Sequence, residues 1–145
     1  MSQKDEFSLQ MFLPYLLNQA AEESSLAFQQ AYKGRYGMLR TEWRVLFHLG
    51  IYGEMTATDI VTRARIHKTK VSRAVQKLVD KRFVKRERSD SDRRQETLTL
   101  TPAGEVAYRE LRTIAEDYDK TLEEGFTEEE VRLLRSMLKR LAGFA

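Results

Sequence analysis

Between His67 and Thr101 the chain reads HKTKVSRAVQKLVDKRFVKRERSDSDRRQETLTLT, and this stretch constrains the fold more than any other. Stepping about 100° per residue from Val71 puts Ala74, Val75, Leu78 and Val79 on one side of a helix. Thr69, Arg73, Gln76 and Lys77 fall opposite. One side is built for a core and the other for an anionic partner. Phe83-Val84 then opens a strand that becomes KRER, SDSDRR is a charged turn, and Glu96 to Thr101 alternates polar with apolar residues, which predicts a returning strand.

The charge distribution sharpens this. From Arg63 to Arg94 there are 13 Lys and Arg against 4 Asp and Glu, although the whole chain carries a net charge of only +3. The remainder is therefore acidic, and the cationic surface is concentrated in less than a quarter of the sequence.

At 145 residues the chain suits one domain, or one small domain with arms. No apolar run approaches the roughly 20 residues of a membrane span. Phe7 to Leu17 is interrupted by Ser8, Gln10 and Pro14, unlike a secretory signal, so a cytoplasmic protein is expected. The absence of cysteine excludes disulfides, thiolate zinc sites and cysteine nucleophiles. His48 and His67 lie in different predicted helices and share no metal-ligand spacing, so neither metal nor cofactor is expected. Without a phosphate-cradling glycine loop either, an enzyme is not expected.

Apolar residues from Leu9 to about Tyr32 recur at three- and four-residue spacing and predict a long helix, with Pro14 either kinking it or sitting in its first turn. Its stripe is wide, which suggests a partner chain, with packing inside one chain as the competing explanation. Lys33 to Arg40 reads as a turn. Thr41 then reads as the N-cap of a helix from Glu42 to Leu49 with Trp43, Leu46 and Phe47 inward, ended by Gly50 and Gly53. Met55 reads as a short strand, and Thr56 to Asp59 as a capping box opening a helix to about Arg65. With the helix led by His67 this makes a helix-turn-helix. Thr101-Pro102 starts a long helix to about Glu124, with Val106, Ala107, Leu111, Ile114, Ala115, Tyr118 and Leu122 along its apolar side. Thr127 to Glu130 is another capping box. It opens a last helix with Val131, Leu134, Met137, Leu138 and Leu141 inward.

Cations on such a segment neutralise phosphates and release counterions, while a rigid helix fits the major groove. The outer face offers Lys68, Thr69, Lys70, Ser72, Arg73, Gln76 and Lys77. Arg73 suits a guanine edge and Gln76 an adenine edge, whereas Lys68, Ser72 and Lys77 suit phosphates. At the hairpin, Asp92 stands two residues before Arg94 and is placed to hold it extended into a narrow minor groove beside Arg93. Arg86 and Arg88 would touch backbone or brace Asp90 and Asp92; a self-neutralising solvated turn is the alternative.

The segment resembles the winged-helix regulators of the multiple-antibiotic-resistance (MarR) family. The resemblance rests on Thr41-Glu42-Trp43-Arg44-Val45-Leu46, Val71-Ser72-Arg73-Ala74-Val75 with Leu78, Arg86, and Asp92-Arg93-Arg94 followed by Leu98-Thr99-Leu100-Thr101-Pro102-Ala103-Gly104. It implies a mainly α (α+β) winged helix-turn-helix at 41–104, with a recognition helix at about 67–81 and a wing at about 83–101. Long terminal helices at 1–40 and 105–145 would form a dimerisation region. It further implies a homodimeric regulator, usually a repressor, on a pseudo-palindromic operator. Ser72 and Arg73 would be recognition-helix contacts, Arg94 the minor-groove residue and Asp92 its orienter. A small aromatic effector would bind near Tyr15, Trp43, Arg44 and His48, with core packing the competing role for Trp43. Arg82 stands where the family usually has glycine, so a left-handed backbone is expected there. A winged-helix module docking protein or RNA is the alternative function.

Overall fold

The computed structural model describes residues 4–88 and 95–144. Its elements are a 3-10 turn Leu9–Met11, α1 (Leu13–Tyr36), α2 (Arg40–Tyr52), β1 (Met55–Thr56), α3 (Ala57–Ala64), α4 (Lys68–Asp80), β2 (Val84–Arg88), β3 (Glu96–Leu100), α5 (Pro102–Glu123) and α6 (Glu128–Ala142).

Pro14 sits in the first turn of α1, where its missing N–H costs nothing, so the helix starts there without a kink. The turn expected over Lys33–Arg40 contracts to Gly37–Leu39. Gly34 is accommodated within the helix, and termination waits for Gly37, whose φ of 63° is the left-handed conformation that favours glycine. Nor is Thr41 the cap of α2. Leu39 holds that position, and the Glu42 carboxylate accepts its backbone N–H at 2.9 Å. Gly50 does not end α2 either. The Tyr108 ring lies against it so closely that a Cβ there would meet the ring at 2.5 Å, and the helix runs on to Tyr52.

The helix-turn-helix follows its local signals. Thr56 Oγ1 accepts from Asp59 N and Asp59 Oδ2 from Thr56 N, both at 3.1 Å, so α3 opens on a complete capping box. α3 stops at Arg65, a non-glycine residue with φ 55°. His67 caps α4 by accepting the Thr69 N–H on Nδ1 at 3.2 Å. Val71, Ala74, Val75 and Leu78 are buried against α2 and α3 as the periodicity requires. Arg82 adopts the expected left-handed backbone, φ 66°.

The hairpin gains a third strand. β1 pairs antiparallel with β3, Met55 opposite Leu98, giving the order β1-β3-β2. Leu98 and Val84 face the core. The sheet returns to the helices at Thr101, whose backbone N–H donates to Phe83 O at 3.0 Å and whose hydroxyl caps α5 through Gly104 N at 3.0 Å. Gly104 passes so near Phe83 O that a Cβ would lie 2.0 Å from it, so a side chain has no room.

Two expected inward faces are not inward in the single chain. Val106 on α5 is 65% exposed, because the helix turns that side away from α1 and α2. On α6, Leu134, Met137, Leu138 and Leu141 are all exposed and no residue is buried, although the capping box at Thr127 forms as predicted. Periodicity identified an apolar stripe; it could not say that the described residues leave it exposed.

Candidate nucleic-acid interface

α4 carries an exposed cationic face. Lys68, Thr69, Lys70, Ser72, Arg73, Gln76 and Lys77 are all exposed, on the side opposite the buried stripe. Among the described residues, Lys68, Lys70, Arg73 and Lys77 form no ion pair, so these cations remain available for phosphates. Gln76 differs. Its Nε2 donates to Asp80 Oδ1 at 2.9 Å and its Oε1 accepts from an Arg86 guanidinium nitrogen at 2.8 Å. The same guanidinium donates to Glu96 Oε1 at 2.7 Å. Arg86 therefore ties α4 to both strands of the hairpin, and the amide assigned to an adenine edge is engaged within the chain. Arg88 is exposed on β2, in register with Glu96. Asp90, Asp92, Arg93 and Arg94 lie outside the described residues.

Glu42 fixes the other end of α4. It is 1% exposed, and its Oε1 accepts from Lys81 Nζ at 2.7 Å while Oε2 accepts from Leu39 N. Lys81 is the C-cap of α4, so this pair joins the reading helix to the start of α2. The sequence reading placed Glu42 at the start of this helix and gave it no partner; the structure puts it at the third helical position, and Lys81 is 39 residues away.

Above the helix-turn-helix, α1, α2 and α5 enclose a cleft of about 600 Å³. Its aromatic wall is Phe28, Tyr32, Trp43 and Phe47, with Phe28 and Trp43 centroids 5.3 Å apart and Trp43 and Phe47 5.1 Å apart, both edge to face. Ser24, Arg112, Ala115, Tyr118 and Leu122 contribute the rest, and the Tyr118 hydroxyl donates to Ser24 O at 2.5 Å. Of the four residues expected at a ligand site, Trp43 and Arg44 line this cleft. Tyr15 and His48 do not; His48 Nδ1 instead lies 2.6 Å from Arg44 O. Phe28 and Tyr32, one helical turn apart on α1, are lining residues that the sequence reading took as ordinary apolar positions.

The cleft's charges are unequal. Arg112 pairs with Glu116 at 3.0 Å, Asp119 with Arg135 at 2.7 Å, and Arg40 with Glu22 at 3.5 Å. Arg44 meets no carboxylate among the described residues. It donates instead to Ala64 O at 2.8 Å, and burial, then the neighbouring Arg40 cation, lowers its pKa from the ordinary arginine value.

The described residues contain no group of three or more His, Cys, Asp and Glu able to hold a metal, and no helix among them is long and apolar enough to cross a membrane. A helix-turn-helix with a solvent-facing cationic second helix, followed by a hairpin wing, defines a winged helix-turn-helix protein of the DNA-binding kind. The profile of the MarR family matches residues 36–95. The HTH-type transcriptional regulator BilQ of Clostridium symbiosum is 28% identical over 83 residues, 57% of this chain and 58% of that protein. The MarR/EmrR family transcriptional regulator of Acinetobacter sp. ADP1 superposes with a TM-score of 0.83 at 27% identity, covering 94% of this chain and 96% of that one. Bordetella bronchiseptica BpsR, whose DNA binding is regulated by 6-hydroxynicotinic acid, superposes at 0.85 with 21% identity over 95% of this chain and 98% of its own. Residues 36–95, which carry the helix-turn-helix and the start of the wing, are therefore similar to the MarR family of transcriptional regulators.

Proposed function

We propose that this chain is a sequence-specific double-stranded DNA-binding regulator of transcription, acting as a homodimeric repressor that a small aromatic acid releases. The observation that carries the DNA-binding part is the row of exposed cations on α4, which form no ion pair among the described residues. Lys68, Ser72 and Lys77 contact phosphates, and Thr69, Lys70 and Arg73 reach base edges; Arg86 and Gln76 align helix and wing; Arg88 touches backbone, and Arg94, oriented by Asp92 and beside Arg93, serves the flanking minor groove.

The exposed apolar side of α6, together with Phe7, Leu9, Met11, Phe12 and Leu13 before and at the start of α1, supports a second copy as the cover that holds two reading helices apart. The aromatic cleft with Arg44 supports the effector, and the structurally similar BpsR responds to an aromatic acid.

The test is selection of bound fragments from random duplex DNA, followed by titration across salt. An inverted-repeat consensus with affinity falling steeply in salt is expected, and Arg73→Ala should weaken binding by about 1–3 kcal/mol and relax one base position. Enrichment of no sequence would favour a protein- or RNA-docking module instead.

A further inference from the structure

Arg44 bridges two places in the fold. It lines the cleft beside Trp43, and it donates to the carbonyl of Ala64, the last residue of α3. That carbonyl belongs to the helix terminus, where no intrahelical donor follows, and Ala64 is buried. The residue after it is Arg65, at a φ of 55° that non-glycine residues rarely hold. Arg65 in turn donates to Ala142 O and lies 4.6 Å from the Phe144 ring centroid. The joint that aims α4 is thus pinned from the cleft by Arg44 and from the end of α6 through Arg65.

We propose that Arg44 couples the cleft to the reading helix: an aromatic carboxylate seated on the Phe28, Trp43 and Phe47 rings draws the guanidinium off Ala64 O and frees the α3–α4 joint. This rests on reading the cleft as the effector site. A carboxylate competes well for this group because a charge-assisted pair is stronger than a bond to a neutral carbonyl. Acids elsewhere in the cleft do not compete, since Glu116 and Asp119 already hold arginines. Once the guanidinium leaves, the Ala64 carbonyl keeps no donor, and the joint's conformation loses one of its two ties. Arg44 is a positioning residue for α4, acting through Ala64.

Trp43 is the only tryptophan, so its fluorescence reports directly on the cleft. The experiment titrates benzoate and phenylacetate, with benzamide and phenylacetamide as uncharged counterparts, into full-length protein with and without its selected operator. The acids are expected to change Trp43 emission, to weaken operator binding about tenfold, and to speed amide exchange in a peptide spanning Thr62–Lys68; the amides should do none of these. Arg44→Met should bind the operator about tenfold more weakly without ligand and show less than about a twofold further response to the acids. Arg44→Lys should keep part of that response. A merely structural Arg44 would lower the starting affinity and leave the ligand-induced ratio intact, which overturns the proposal. So does a Trp43 response in the wild-type protein with exchange at Thr62–Lys68 unchanged, a readout that needs no variant to fold. The absence of a Trp43 response to either acid up to about 10 mM overturns it as well. Failure of the wild-type protein to select any DNA sequence would instead refute the regulator reading, while the fluorescence and exchange results would still decide the coupling.

Discussion

Lys81 Nζ lies 2.7 Å from Glu42 Oε1, and the carboxylate it meets is almost completely removed from solvent. A buried carboxylate is tolerated only when its oxygens are satisfied, and here Leu39 N satisfies the second. The pair spans the reading helix's C-cap and the first turn of α2. Its consequence is positional: the tilt of α4 against α2 is set by a charge contact as well as by apolar packing.

Removing the two partners should therefore cost unequal amounts. Lys81→Met leaves a buried charge without its cation and is expected to destabilise by about 3–5 kcal/mol. Glu42→Gln removes the buried charge but offers one acceptor oxygen where the carboxylate used two, so it keeps either the Leu39 bond or the Lys81 bond, and a loss of about 1–3 kcal/mol is expected. Urea denaturation of both variants checks the order, and equal losses would contradict it.

Gly104→Ala should be severe. The new Cβ would fall 2.0 Å from Phe83 O, a backbone atom already bonded to Thr101 N and unable to swing aside. A loss of about 2–4 kcal/mol is expected from the forced separation of wing and α5. Gly125→Ala, with nothing within 4 Å, should change the urea midpoint little and serves as the control.

On α6, Leu138→Glu should disrupt self-association while leaving the helix intact. Glutamate is a good helix former, and Leu138 is exposed in the single chain. Sedimentation velocity should report a shift from two copies to one, with unchanged helical circular dichroism. A variant that remains dimeric would place the interface elsewhere.

Acid should weaken the junction of α1 and α5. Glu110 accepts from the Tyr36 hydroxyl at 2.9 Å and from Arg35, and these bonds, Tyr36 first, hold its carboxyl below the usual glutamate value. Tyr36 also stacks edge to face on Phe83, 5.6 Å away, next to the wing. A carboxyl depressed in the folded state contributes stability that is present above its unfolded pKa, about 4.3, and is lost as pH falls through the lower folded value. Melting temperature followed from pH 7 downward should fall in that acid range for the wild type, and Glu110→Gln should remove Glu110's share of the fall.

Much of the candidate site was legible because its signals are local. The alternation of buried and exposed residues on α4 and the caps at Thr56, Thr101 and Thr127 each depend on residues within about one turn of each other, whereas the left-handed Arg82 was implied by the family resemblance alone. Helix ends were less legible where a glycine had two uses. Gly34 and Gly50 read as breakers, yet around α2 it is Gly37 and Gly53 that adopt positive φ, and Gly50 is required by the Tyr108 ring instead.

The sequence by itself determined which segments are helices or strands and which face of α4 is cationic, because backbone hydrogen bonds and side-chain periodicity act over three or four residues. Only the tertiary structure decided that Gln76 is held by Arg86, that Glu42 meets Lys81, and that Arg44 reaches Ala64 beside an aromatic cleft. Those partners are 10, 39 and 20 residues apart, and a donor finds an acceptor at such separations through packing of whole helices, which no local pattern encodes.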